Sequence, residues 1–253
     1  MCVYMNRSSS RLSKKLSVQF NKSDFKDNST LQSIEALDNT LQRIHNDITG
    51  IDHLVDLGCG YGAFAAALST LLDASSVSGV DTNTRRLSKA KNRGVVTYCK
   101  NIEEEVLPWP KDEIDLVVAF GLFEHLTDYS TPLEEIHRVL RDDGWFWITV
   151  PNLAGWTNRL ALLLGYQPRN VEVSSQKSVG ILPYYGYKKP LGHVHAPTYR
   201  ALVELLEHHG FSIEIVTPLS PYQDSLAVKA VDAVLGRSPR LSRRVSILCR
   251  KRA

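Results

Sequence analysis

Val55-Asp56-Leu57-Gly58-Cys59-Gly60-Tyr61-Gly62 is the stretch on which the fold turns. It follows an apolar run beginning at Ile51 and leads into Ala63-Phe64-Ala65-Ala66-Ala67-Leu68. That pattern reads as a short buried strand at about 53–57, a turn built on three glycines, and a helix near 61–72. Glycine lets the backbone bend sharply at such a turn and lets a ligand approach bare peptide groups. The helix behind it aims free N–H groups and its positive dipole end at whatever lies in the turn. Gly58, Gly60 and Ala63 also meet the G-x-G-x-x-G/A spacing of dinucleotide-binding turns, a match that is unspecific by itself. Two details depart from that pattern: the acid Asp56 ahead of the first glycine, and the third glycine, Gly62.

Outward from the turn, strand and helix alternate. A second strand, Val77-Ser78-Gly79-Val80, ends at Asp81, about 20 residues beyond the turn, where a βαβ unit brings its second strand beside a ligand's ribose. Asp81 can accept hydrogen bonds from both ribose hydroxyls; the plainer reading of Asp81-Thr82-Asn83 is a helix cap. A helix near 83–92, a strand at 95–99 and the rigid Leu107-Pro108-Trp109-Pro110 loop precede strand four, Ile114–Phe120. Pro132 opens a helix with Leu133, Ile136, Val139 and Leu140 on one face; Arg141-Asp142-Asp143-Gly144 stops it, and Trp145–Val150 is strand five. Beyond 196 come a helix over 197–209, strand six at 211–216, a helix near 223–235 and a last strand near 243–249. The alternation predicts an α/β fold with a largely parallel sheet and helices on both faces.

Two regions break this rhythm. Residues 1–28 are polar, Ser-rich and aperiodic, and are expected to be a flexible basic tail; Leu31, Ile34, Leu37, Leu41, Ile44 and Ile48 then mark an amphipathic helix over 29–49, ended by Gly50. Residues 151–196 hold a short amphipathic piece, Trp156–Leu164, and then a stretch rich in Ser, Pro, Gly and Tyr. A loop that long inside a compact domain is usually functional, so it is expected to cap the ligand edge of the sheet. For Trp156–Leu164 ordinary packing is favoured over contact with a membrane surface or a lipid-linked substrate.

At 253 residues the chain has room for one full α/β domain with an insertion, 29–253, behind the tail. No apolar run approaches the ~20 residues of a membrane span. The net charge of +3 is uneven: residues 1–23 carry +5, residues 237–253 carry +7, and the body between is acidic at −9. An acidic body argues against a nucleic-acid partner, and the basic ends read as solvated tails. Cys2, Cys59, Cys99 and Cys249 form no C-x-x-C pair, which points to reduced thiols in the cytoplasm and to no zinc site. The Ser- and Arg-rich N-terminus loosely fits organelle targeting, with a disordered tail as the plainer reading.

Asp56-Leu57-Gly58-Cys59-Gly60-Tyr61-Gly62 resembles the first motif of the class I S-adenosylmethionine-dependent methyltransferases, of the methyltransferase domain type 11/12/23 kind, and the resemblance covers about 50–150 most closely. It implies a doubly wound, mostly parallel seven-stranded sheet and S-adenosyl-L-methionine as cofactor. The implied cofactor-binding residues are Asp56, Gly58, Cys59, Gly60, Tyr61 and Gly62 in the turn, Asp81 with Thr82 at the ribose, Asn101 (where Asp is common) with Ile102 at the adenine, and Phe120 with Gly121 beside the methionine half. Glu124 and His125 would begin the substrate-side loop. His193, in Leu191-Gly192-His193-Val194-His195, matches a histidine often seen before the next helix in similar methyltransferases.

The expected chemistry is in-line displacement onto a small-molecule acceptor, for which alignment and exclusion of water matter most. A hydroxyl acceptor must also lose a proton; His125, His193 and His195 could each face the acceptor, with His125 and His193 the candidate bases. Phe120-Gly121-Leu122-Phe123 lacks the Asn-Pro-Pro-aromatic pattern of base N-methylation, and there is no Pro-Cys nucleophile. A hydroxyl or carboxyl of a sugar, a phenol-like ring or a lipid-linked precursor is therefore expected. Two rival classes are a non-catalytic S-adenosylmethionine-binding protein and an NAD-dependent dehydrogenase. The latter draws on Tyr184-x-x-x-Lys188, but Pro183, Gly186 and Pro190 oppose the helix that chemistry needs.

Overall fold

The computed structural model describes residues 50–183, 189–219 and 226–252. The expected tail and helix before Gly50, and the Tyr184–Lys188 pair, lie outside the described residues.

The described chain runs β1 (His53–Leu57), α1 (Ala63–Leu72), β2 (Ser76–Asp81), α2 (Thr84–Lys91), β3 (Val96–Cys99), β4 (Ile114–Phe120), a 3-10 turn (Phe123–His125), α3 (Ser130–Val139) and β5 (Leu140–Pro151). It continues through α4 (Trp156–Leu163), α5 (Tyr199–His208), β6 (Phe211–Leu219), α6 (Leu226–Leu235) and β7 (Arg244–Lys251). The seven strands form one sheet in the order β3-β2-β1-β4-β5-β7-β6. β1 pairs parallel to β2 and β2 parallel to β3, whereas β6 and β7 are antiparallel with an irregularity between Ile213 and Ile215. The order reverses between β1 and β4, and in open α/β sheets ligands bind outside the carboxyl ends of the strands at such a switch point. This is the doubly wound, mostly parallel arrangement expected.

By internal contacts the chain divides into two compact units. One takes the described residues up to Val118 together with Arg138–Phe146; the other takes Ala119–His137 and the described part of Trp147–Arg252. In the first unit Leu54, Val55, Leu57, Val80, Ile114, Leu116 and Val117 are buried, because a strand flanked on both sides has no polar face. Asp115 is the buried exception in β4. Its carboxylate accepts the N–H groups of Asp52 (2.9 Å) and His53 (2.7 Å) and the Arg141 Nε–H (2.6 Å), so one acid ties the start of β1 to β5. The Pro-Trp-Pro loop is held by Arg138, which donates to the carbonyls of Trp109 (2.9 Å) and Leu107 (3.1 Å). In the second unit Phe123, Trp147 and Phe211 are fully buried, and the Trp147 indole N–H donates to Ser246 Oγ at 2.7 Å.

Three expectations are corrected. Helix α3 ends at Val139 and β5 begins at Leu140, with no turn between them. The Asp112 and Glu113 N–H groups take the carbonyls of Arg138 and Val139, and Arg141 is drawn along β4 by Asp115, so Arg141–Gly144 extends the strand through a left-handed Asp143 (φ 62). The basic C-terminal stretch is no solvated tail: β7 lies between β5 and β6, with Arg243 and Lys251 buried. Nor do the leucines of 156–164 pack. Thr157, Asn158 and Ala161 face inward, while Leu162, Leu163 and Leu164 are exposed. Among the described residues no helix is long and apolar enough to cross a membrane.

Candidate functional site

In the first unit the glycine turn closes on β2. Gly58 and Cys59 donate their N–H groups to the Val80 carbonyl (2.8 and 3.0 Å), and Gly62 donates to the Cys59 carbonyl. These amides are engaged by the protein itself, so the turn does not offer them bare to a ligand. What it does offer is space. A Cβ built on Gly60 (φ +54) meets nothing within 4 Å. Gly62 is small for a different reason. A Cβ there would come 2.6 Å from the Ala90 Cβ, so its absence lets α1 start against α2.

Asp81 faces the turn. Its Oδ2 accepts the Gly60 N–H at 3.0 Å and its Oδ1 the Asn83 N–H at 2.8 Å, and the side chain is largely buried. Each carboxylate oxygen keeps a second lone pair. Capping of α2 falls to Asn83, which accepts from Arg85 and Arg86, so Asp81 is not tied up as the cap. Asp56 is wholly buried in β1, and burial, with the nearby Asp81 charge second, pushes its carboxyl up to about 8. Burial first, and then the Asp56 and Asp81 charges, push the Cys59 thiol up to about 12, so it is no thiolate nucleophile.

Tyr61 is half exposed, with Lys89 Nζ 5.2 Å and the Arg86 guanidinium 5.9 Å from its ring centroid. Thr82 is exposed, and its carbonyl accepts the Cys99 thiol. Asn101 Oδ1 accepts the Glu103 N–H at 3.2 Å, while Ile102 is buried beside it. An open flank at Gly60 and a doubly anchored acid at the end of β2 fit a nucleoside with free ribose hydroxyls; Asn101 Oδ1 retains a lone pair for an amino group.

The second unit holds a separate polar cluster after β4. Phe120 packs edge-on against Trp147 (4.8 Å), and Gly121 donates its N–H to the Thr149 carbonyl. Glu124 sits on the 3-10 turn with only 1% of its surface exposed. Its Oε1 accepts from Arg244 Nη2 at 3.1 Å, and His193 Nε2 lies 4.0 Å away. Its Oε2 and the His193 Nδ1 are buried without a hydrogen-bond partner. His125 donates Nδ1–H to the Gly192 carbonyl (2.8 Å), and its ring meets that of His193 edge-on at 5.1 Å. Burial holds the His193 imidazole below its ordinary range despite the opposing charge of Glu124, so it is neutral. Glu172 accepts the N–H groups of Leu191, Gly192 (2.7 Å) and His193 (3.3 Å), which fixes the loop carrying His193.

Both candidate bases therefore belong to one cluster. His195 does not: its Nε2 bonds the Thr127 carbonyl. Glu172 and Arg244 were not legible as site residues, since one lies in an aperiodic stretch and the other in a basic run. The signal that did exist was Glu124-His125 following a buried strand.

The methyltransferase domain family matches residues 55–148. Trans-aconitate 2-methyltransferase of Escherichia coli O157:H7 is 22% identical over 142 residues, which is 54% of this chain and 55% of that one. The chloroplastic 2-methyl-6-phytyl-1,4-hydroquinone methyltransferase of Arabidopsis thaliana is 32% identical over 93 residues, 36% of this chain and 28% of that one. The chain spans about half the length of the first of these relatives. In three dimensions it is similar to an S-adenosylmethionine-dependent methyltransferase of Mesorhizobium loti (TM-score 0.57, 19% identity, 85% of this chain and 98% of that one). Residues 55–148 match the methyltransferase domain family, and the sheet order and glycine turn give this chain the fold of the S-adenosylmethionine-dependent methyltransferase it resembles.

Proposed function

We propose that the chain transfers a methyl group from S-adenosyl-L-methionine to a hydroxyl or carboxyl oxygen of a small-molecule acceptor. When bound, the cofactor supplies a methyl group on a positive sulfur, already activated for displacement. Asp81 would accept the ribose hydroxyls, with Thr82 beside it; Asn101 and Ile102 would hold the adenine, and Phe120 and Gly121 the methionine half. The turn from Asp56 through Gly58, Cys59, Gly60 and Tyr61 to Gly62 would form the wall behind it. Glu124, His125 and His193 would hold the acceptor oxygen and take charge of its proton, and residues 151–196, which supply Glu172 and His193, would form the acceptor-side cap.

The observation that carries an oxygen acceptor is the pair of buried atoms without partners, Glu124 Oε2 and His193 Nδ1. Polar atoms are rarely left so, which marks this cluster as the place for an acceptor's polar group. The relatives named for trans-aconitate and for a hydroquinone support a small-molecule acceptor. Cys59 and Cys99 form no disulfide, in keeping with the cytoplasm as the compartment.

The test is transfer of labelled methyl to a panel of hydroxy and carboxylic metabolites, with Asp81→Ala beside the unaltered protein. Oxygen-linked product is expected, with roughly tenfold or greater loss of cofactor affinity in the variant. Label found only on nitrogen, carbon or sulfur would refute the oxygen acceptor. No turnover, with cofactor still bound, would leave a binding protein without catalysis.

A further inference from the structure

The polar cluster of the second unit has the makings of a cation site. Glu124, His125 and His193 each offer a ligand atom, and these atoms lie within 4.8 Å of one another. Donors sharing one metal at about 2.1 Å stand roughly 3–3.5 Å apart, so modest side-chain rotation closes the set. We propose that these three residues bind a first-row divalent transition metal, leaving coordination positions open for the acceptor.

Three further features support the site. Glu124 Oε2 is buried and lacks a partner, although a buried carboxylate oxygen is costly to leave unsatisfied, and His193 brings Nε2 to 4.0 Å from Glu124 Oε1. The tautomer of His125 is settled by geometry: its Nδ1 faces a carbonyl, which only accepts, so Nδ1 carries the proton and Nε2 the lone pair. The remaining partners act as a supporting layer. Glu172 anchors the backbone from Leu191 to His193, and Arg244 occupies Glu124 Oε1 while leaving Oε2 clear.

Ligand chemistry narrows the ion. Two imidazoles and one carboxylate suit Zn²⁺, Fe²⁺, Co²⁺ or Mn²⁺ better than Mg²⁺ or Ca²⁺, which prefer all-oxygen shells. The Arg244 charge opposes the cation, which sets the expected affinity near micromolar (on the order of −8 kcal/mol) instead of nanomolar. The open positions would take an oxygen of the acceptor. Ligated in this way, the three residues act on the acceptor through the metal and do not take its proton themselves: a hydroxyl bound there gives its proton to solvent at lower pH than when free, and its oxygen then forms the new O–C bond as the S–C bond breaks. This role rests on the methyltransferase reading, whereas metal binding itself does not.

The experiment is calorimetric titration of untagged, chelator-stripped full-length protein with Zn²⁺, and with Mn²⁺ followed by electron paramagnetic resonance. A single equivalent with micromolar affinity is expected. Glu124→Gln and His193→Ala should each weaken binding by roughly tenfold or more, while His195→Ala changes it less than about twofold, with circular dichroism showing that all are folded. Asp81→Ala should lose cofactor yet keep the metal, so failure of the methyltransferase reading leaves a distinct signature. Absence of binding up to about 1 mM, or equal affinity in Glu124→Gln, His193→Ala and the unaltered protein, overturns the site.

Discussion

Two acids divide the work at the glycine turn. Asp81 is anchored by the N–H groups of Gly60 and Asn83, whereas Asp56 is buried in β1, and burial pushes its carboxyl up to about 8 from 3.8. Because the folded state holds that proton more tightly than the unfolded chain, Asp56 favours folding below the unfolded value, and its contribution fades as pH rises through about 8. Asp56→Asn keeps the shape and removes the titration. Cofactor-free protein should therefore lose thermal stability between about pH 4 and 8, and the variant should lose less, with a Tm advantage on the order of 10 °C at pH 8. Parallel Tm–pH curves for the two proteins would show that Asp56 does not titrate in this way.

At the scale of elements, α4, α6 and the residue just before β7 meet on one buried ion pair. Arg243 donates through Nε (3.2 Å) and Nη2 to Asp232, and the Trp156 indole N–H adds a third bond at 2.7 Å. Both charges are buried, so removing one leaves the other without compensation at a cost of about 3–5 kcal/mol. Asp232→Ala is expected to lower the denaturation midpoint accordingly in urea; a change smaller than about 1 kcal/mol would mean that water reaches Arg243. The helical period of Trp156–Leu163 was legible, but its orientation was not. Trp156, Thr157, Asn158 and Ala161 have bonding or packing partners inside, which turns Leu162 and Leu163 outward against the hydrophobic pattern.

For the molecule as a whole, ligand linkage offers a test. A ligand at about 100 times its Kd stabilises the folded state by roughly 2.7 kcal/mol, which for a chain of this size raises Tm by about 5–10 °C. S-adenosyl-L-methionine should give that shift and NAD none. A shift with NAD alone would restore the dehydrogenase reading.

The alternation of strands and helices, the glycine turn and Asp81 at the end of β2 could be read from the chain itself, because each rests on local periodicity or on spacing along one βαβ unit. Neighbours along the chain cannot announce a partner 120 positions away, and the Glu124–Arg244 pair is of that kind. Arg141 joined β5 because Asp115 reaches it across the sheet, and Arg244 left the basic tail because β7 is inserted between β5 and β6. Local sequence therefore settled which strands and helices form around the glycine turn. Only tertiary packing decided which charged groups are desolvated together, since burial and long-range pairing depend on the whole sheet.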